Sequence, residues 1–380
     1  MDFKKLHHNL SRLKQNLFQP YGGLNLVFAG DYRQLEPVGN DKRAIYKTTC
    51  PEMKHWMNCY LELNGMHRFK MDREWGQLLQ RFRNGTATKE DVTKVNERIV
   101  QDGITTLPED LRYATYFNRD RDAINTALFE KRCEHVYNAN GNTDDSLIIL
   151  CDGLEAQYSP KTYKPFKNKK LFWESCGEDD VKPPRTAGRM DPVLRVYKGC
   201  RLMLPSNNDV KQGQANGTQV FLERVVLKPG ETPNRIMING QIPINTVFAN
   251  QVDHLILKHS NNRIQPAQFS VRPQKYNFKA RFPTPESLRT SETQRDWIQM
   301  RGVQLPVLVN NTTTGHKLQG SGINNLFVHN WSYVTNWAYV MLSRVKTHKG
   351  LYCRKPLSYD LKKYAIPPGL TRMLRGFEQK

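Results

Sequence analysis

Three side chains of different chemistry share one short loop: in GDYRQLEPVG, residues 30–39, Asp31 offers an acid, Arg33 a base and Gln34 a neutral amide. The loop follows LNLVFAG, a nearly unbroken apolar run of strand formers, which predicts a strand buried on both faces of a parallel sheet. In open α/β sheets ligands sit at the carboxyl ends of the strands, so the trio stands where a ligand is expected. A second set, TTTGHKLQG at residues 312–320, places hydroxyls, an imidazole, an ammonium and a turn glycine after a strand. Such groups suit a sugar-phosphate backbone, which is gripped by side-chain and main-chain donors. Plainer roles remain open: a loop cap for Asp31, a solvated charge for Arg33, a structural imidazole for His316.

The elements that must position these groups alternate between helix and strand. Phe3, Leu6, Leu10, Leu13, Leu17 and Phe18 recur at steps of three and four, predicting an amphipathic helix over residues 3–18 that ends at QPYGG. A second helix is expected at about 73–82, where RNGTAT reads as a helix end followed by a new cap. RYATYFNRDRDAINTALFEKRC predicts a strand leading into a helix. Residues 135–192, with GEDDVKPPRTAGRMDP near their end, read as a surface excursion. Short alternating runs between 220 and 304 predict a small antiparallel β module. LPVLVNN and NLFVHN return to buried-strand character before a helix around residues 337–345.

Composition narrows the class of function. With 57 Lys and Arg against 36 Asp and Glu, the chain of 380 residues carries a net charge of +21, spread along its length. An imbalance of that size points to a polyanion, nucleic acid first. No apolar run reaches the roughly 18 residues that span a bilayer, so no membrane partner is expected. Seven scattered Cys without a CxxC pair read as reduced intracellular thiols. Cys50, His55 and Cys59 have no second pair nearby, so no metal site is expected there. Cations interleaved with aromatics, as in YSPKTYKPFKNKKLFW and VRPQKYNFKARF, fit either a base-stacking platform or core rings with snorkelling lysines.

Taken in order, several stretches resemble the signature motifs of the petite-integration-frequency (PIF) branch of superfamily 1 DNA helicases, the RecD-like group. PYGGLNLVFAGDYRQLEPV resembles motif III, MHRF motif IV, TYFNRDRDAIN a following strand-turn-helix, and KGCRLMLPSNNDVKQGQANGT the segment before an inserted β module. TTTGHKLQG resembles motif V and NWAYVMLSRV motif VI. The likeness runs over residues 1–355, and GDxxQLxPV and TxHKxQG are its most specific patterns.

The resemblance implies an α/β fold of RecA-like P-loop NTPase lobes with parallel sheets, the first lobe incomplete, plus a small inserted β-barrel module. It implies lobe boundaries at residues 1–64, 65–222 and 305–355, the module at 223–304 and a tail at 356–380. It further implies an ATP-dependent helicase that uses Mg²⁺ and moves 5′ to 3′ on single strands. Such a protein acts on single-stranded and forked DNA in repair and recombination, as a monomer, in a nucleus, mitochondrion or virus-infected cell. Gln34 would sense the terminal phosphate, because a neutral amide bonds a phosphate or lytic water without competing for the proton. Asp31 would orient its neighbours or help hold the metal's water shell. Arg344 would be the motif VI arginine finger and Arg68 the motif IV arginine, with a surface cation or internal ion pair as the alternative for each. Gln319 and Gly320 would approach the nucleotide; Thr314, His316 and Lys317 would contact DNA, joined by Asn118 and Asn216 unless these are turn residues.

One departure stands out. The family's GxxxxGK[ST] loop and the acidic pair that holds Mg²⁺ do not occur in these 380 residues. The expectation is a chain that carries the carboxyl-terminal portion of such a motor and does not hydrolyse ATP alone. The alternative is a non-catalytic, basic nucleic-acid-binding protein derived from a helicase.

Overall fold

A computed structural model describes residues 3–36, 46, 58–63, 65–159, 161–167, 181–182, 190–261, 264–280 and 298–378. Cys50, His55 and most of GEDDVKPPRTAGRMDP lie outside the described residues. The chain forms two compact units, one of Met1–Tyr116 with Leu318–Lys380 and one of Phe117–Lys317.

In the first unit the strands Arg112–Thr115, Leu326–Val328 and Leu351–Cys353 pair in parallel. Their side chains Ala114, Leu326, Val328, Leu351 and Cys353 are all buried, as expected of a sheet covered on both faces. The helix Arg73–Asn84 supplies Trp75, Leu78, Leu79 and Phe82 to this core, a stripe at steps of three and four. Asp72 caps its first turn by accepting from the Trp75 amide at 3.0 Å, and Gly85, at φ +70°, closes its last. A side chain at Gly85 would come within 2.9 Å of the Ile366 amide, so both conformation and space require glycine. Thr88 and Asp91 then form the capping box of the helix Lys89–Asn96, as RNGTAT suggested. Trp337–Leu342 adds Trp337, Val340 and Met341 to the same core.

Three expectations change here. The first helix runs only over Phe3–Leu13. LNLVFAG is not a strand; Val27 is 95% exposed, and residues 24–30 have no regular structure. A strand needs a neighbour for its amides and carbonyls, and among the described residues none lies beside this run. The supposed tail contains a helix, Pro368–Glu378, whose Leu370, Leu374 and Phe377 are buried.

The second unit joins the long helix Asn118–Asn140 to three sheets. The first sheet orders Val193–Tyr197, Ser146–Leu150, Ile242–Phe248 and Asn234–Ile238, with a parallel pair at its centre. The second runs Gln268–Val271, Val252–His259, Gln219–Leu227, Arg201–Met203 and Leu308–Val309, all antiparallel. The third contains Thr162–Pro165, Asp152–Ser159, Ile298–Gln304, Gln274–Ala280 and Val181–Lys182. Strands between 223 and 304 are thus mostly antiparallel, yet they are shared among all three sheets and pair with strands from 146–203. Within the stretch expected as an excursion, Ile148, Ile149, Cys151 and Leu154 are buried. The alternation of SLIIL and DGLEAQYS carries that burial, which charge-rich flanks obscure.

Candidate functional site

The loop that opens the sequence is a tight turn built on Asp31. Its Oδ1 accepts from the Arg33 amide at 2.9 Å, and its carbonyl accepts from the Gln34 amide at 3.1 Å. Short polar side chains that bond the backbone two residues on favour this turn. Asp31 also accepts from the Gln34 side-chain amide at 3.5 Å and from Arg83 at 3.5 Å. Arg33 is half-buried rather than solvated, and it donates to the Asn84 side chain at the end of the helix Arg73–Asn84.

That turn holds Gln34 against motif V and motif VI. The Gln34 Oε1 accepts from Gln319 Nε2 at 3.0 Å, and its carbonyl accepts from Asn336 Nδ2 at 3.2 Å. Asn336 is left-handed, at φ +62°, and directly precedes the helix Trp337–Leu342. Gly320, at φ +85°, has open space where a side chain would point, so its backbone is approachable.

Arg344 follows the same helix and is 2% exposed. It donates to the carbonyls of Val340 at 2.9 Å, Leu318 at 3.2 Å and Ser321 at 3.3 Å, and to the Ser343 hydroxyl at 2.9 Å. All four partners are uncharged. Burial, with the nearby Arg68 guanidinium second, pulls Arg344 down to about 10. Arg68 lies in the short turn His67–Phe69, is exposed, and donates to the Ser343 carbonyl at 3.2 Å. Trp75 Nε1 bonds the Val345 carbonyl at 3.3 Å, fixing the helix after Arg68 to the segment after Arg344. Two arginines thus converge beside the Gln34 turn.

Two further residues, Arg83 and Tyr339, belong to this cluster without any motif to mark them. Burial lowers Arg83 while Asp31, Tyr339 and Glu62 raise it, and the net shift is upward. Tyr339 is raised chiefly by burial and then by Asp31, against the lowering pull of Arg83, Arg344 and Arg68. A cation in the last turn of a helix, such as Arg83, reads from sequence as a partner of the helix dipole. Tyr339 sits in an apolar helix and reads as core.

The candidate DNA contacts lie in the second unit. Asn118, exposed, begins the helix Asn118–Asn140 and accepts from Arg121 at 3.1 Å. One helix face onward, buried Asn125 clamps the strand Thr312–Thr314: its Oδ1 accepts from the Thr312 amide at 2.9 Å and its Nδ2 donates to the Thr312 carbonyl at 3.4 Å. Asn118 and Asn125 are seven residues apart, so both point along the helix face that meets this strand. Thr314 ends the strand, and His316 and Lys317 follow in the turn of helix Gly315–Leu318. Burial lowers His316, which favours its neutral form. Lys317 Nζ lies 3.8 Å from Met203 Sδ, and Leu204 exchanges backbone bonds with Gly217 and Thr218. Exposed Asn216, whose amide donates to Asn207 at 2.7 Å, is therefore in the loop next to that strand end.

The family described as PIF1-like helicase matches residues 2–93. ATP-dependent DNA helicase PIF7 of Trypanosoma brucei brucei (strain 927/4 GUTat10.1) is 24% identical over 222 residues, covering 55% of this chain and 20% of that protein. ATP-dependent DNA helicase PIF1 of Danio rerio is 24% identical over 208 residues, covering 53% and 26%. The chain thus matches 20% to 26% of the length of these curated relatives. A Bacteroides Pif1 helicase solved with ADP-AlF3 and single-stranded DNA shares the fold, with a TM-score of 0.62 and 16% identity over 100% of this chain and 72% of that one. Pif1 from Candida albicans shares it with a TM-score of 0.60 and 17% identity over 98% and 73%. With the motif III stretch inside the matched segment, residues 2–93 resemble the PIF1-like helicase family, and the chain shares its α/β fold, built on a parallel sheet, with solved Pif1 helicases.

Proposed function

We propose that this chain carries the phosphate-sensing and arginine elements of an ATP-dependent DNA helicase that moves 5′ to 3′ on single strands, acts on forked DNA and serves repair and recombination. The observation that carries the reading is the bond between Gln34 and Gln319, which ties motif III to motif V beside Arg68 and Arg344. A buried guanidinium bonded to uncharged oxygens gains from an arriving anion, because a charge removed from water is stabilised by an opposite one. The residues therefore fit the phosphate end of ATP. Arg344 and Arg68 would stabilise charge on the equatorial oxygens, a contribution worth roughly 10³ to 10⁵ in rate for an arginine so placed. Gln34 keeps one amide hydrogen for a phosphate oxygen or the lytic water while Gln319 and Asp31 fix its plane. When bound, Mg²⁺ supplies charge neutralisation between phosphates. Among the described residues no group of three metal-ligating side chains occurs.

Thr314, His316, Lys317, Asn118 and Asn216 would hold the sugar-phosphate backbone in the second unit, in keeping with the +21 charge. A second reading, a basic nucleic-acid binder without catalysis, rests on the same charge and on candidate contacts that need no nucleotide. Both readings predict no DNA-stimulated phosphate release from the purified 380-residue chain. Release that Arg344→Ala abolishes would overturn that expectation. An in-frame GxxxxGK[ST] encoded directly upstream of Met1 would favour the motor, and a stop codon there the binder.

A further inference from the structure

The helix Pro368–Glu378 lies beyond every motif, yet it packs against the loop that carries Gln34. Leu370, Leu374 and Phe377 form a buried cluster against which half-buried Tyr32, Tyr46 and Tyr60 pack. The Phe377 ring stacks on Tyr60 at 5.5 Å between centroids and meets Tyr32 at 6.0 Å. Tyr32 sits inside the Asp31 turn, between the residue that caps it and the amide that is capped. Burial, and then Tyr60, raise the Tyr32 hydroxyl, as a ring enclosed by aromatics requires. At the other end of the helix a side chain on Gly369 would stand 3.3 Å from the Tyr46 ring, and the Tyr46 hydroxyl donates to Glu36, two residues past Gln34. One helix therefore reaches the turn at Tyr32 from one end and, by way of Tyr46, at Glu36 from the other.

We infer that Pro368–Glu378 is the seat of the Gln34 turn and that Phe377 is a positioning residue for it, an inference that rests on Gln34 being the phosphate-sensing amide. The Asp31 and Gln319 bonds orient the Gln34 amide only while the turn's backbone is held, and the turn has no sheet neighbour among the described residues to hold it. The aromatic seat does so instead. Hydrogen exchange by mass spectrometry on the full chain tests this. Phe377→Ala should speed exchange of the Arg33 and Gln34 amides by roughly tenfold or more while the helix Arg73–Asn84 stays protected, and Phe377→Tyr should restore the native rate. If Phe377→Ala fails to fold, Phe377→Leu, which keeps bulk but loses ring stacking, is read the same way. Unchanged exchange at residues 31–36, or an equal rise throughout the unit, overturns the inference. The readout needs no nucleotide, so a seat that holds while triphosphate fails to perturb Gln34 would refute the sensing role and leave the seat standing.

Discussion

Gln34, Arg68 and Arg344 differ in what their removal should do. Gln34 is half-buried and its shortest side-chain bond, to Gln319, joins two neutral amides, so Gln34→Ala should weaken triphosphate binding by roughly fivefold, the worth of one ordinary hydrogen bond, and leave the melting temperature nearly unchanged. Arg68→Ala removes an exposed, charge-assisted donor and should cost about 10- to 100-fold in the same titration. Arg344→Ala strips partners from the Leu318 and Ser321 carbonyls as well, so it should also lower stability by about 1–3 kcal/mol, read by denaturant unfolding. The three positions stand out in the sequence because GDxxQLxPV, MHRF and MLSRV are distinctive stretches, and the structure brings them near one another. Their company does not stand out: Arg83, Tyr339 and Asn336 reach the site through a helix end, an apolar helix and a left-handed backbone, none of which leaves a mark in residue spacing.

At the scale of elements, the supports of the site are caps as much as core. Asp91 accepts from Arg81 at 2.8 and 2.5 Å and from the Thr88 amide at 3.0 Å, joining two successive helices. Burial works against its ionised form, but Arg81 and the Thr88 amide outweigh it, and its pKa is lowered. Asp91→Ala should therefore destabilise the first unit by about 1–3 kcal/mol at neutral pH. The wild-type advantage is present above the ordinary aspartate pKa and is lost as pH falls through the lowered folded value. The helix-end and capping signals in RNGTAT were readable because they depend on neighbours in sequence. LNLVFAG misled for the opposite reason, since a strand is completed by partners elsewhere. The helix Pro368–Glu378 was overlooked because PPGLTRMLRGF opens on two prolines and a glycine, which masks the Leu370, Leu374, Phe377 stripe.

For the whole molecule, charge and histidine burial set the response to solvent. The +21 charge should make single-stranded DNA binding fall steeply with salt, and Lys317→Ala should reduce the log–log slope by about one, checked by fluorescence anisotropy. His259, His316 and His348 are each lowered by burial. Below about pH 6.5 the unfolded chain binds protons that the folded chain refuses, so stability should drop as pH falls from there through the lowered folded values. Thermal melting at pH 7.5 and 5.5 should show that drop, and His348→Gln should shrink it. Whether Gln34, Arg68 and Arg344 form one phosphate-reading site is tested by titrating the labelled chain with inorganic triphosphate. The side-chain amide of Gln34 and the Nε–H signals of Arg68 and Arg344 should shift together along one saturable curve. Shifts scattered over the basic surface without saturation, with these three signals unmoved, would contradict a single site.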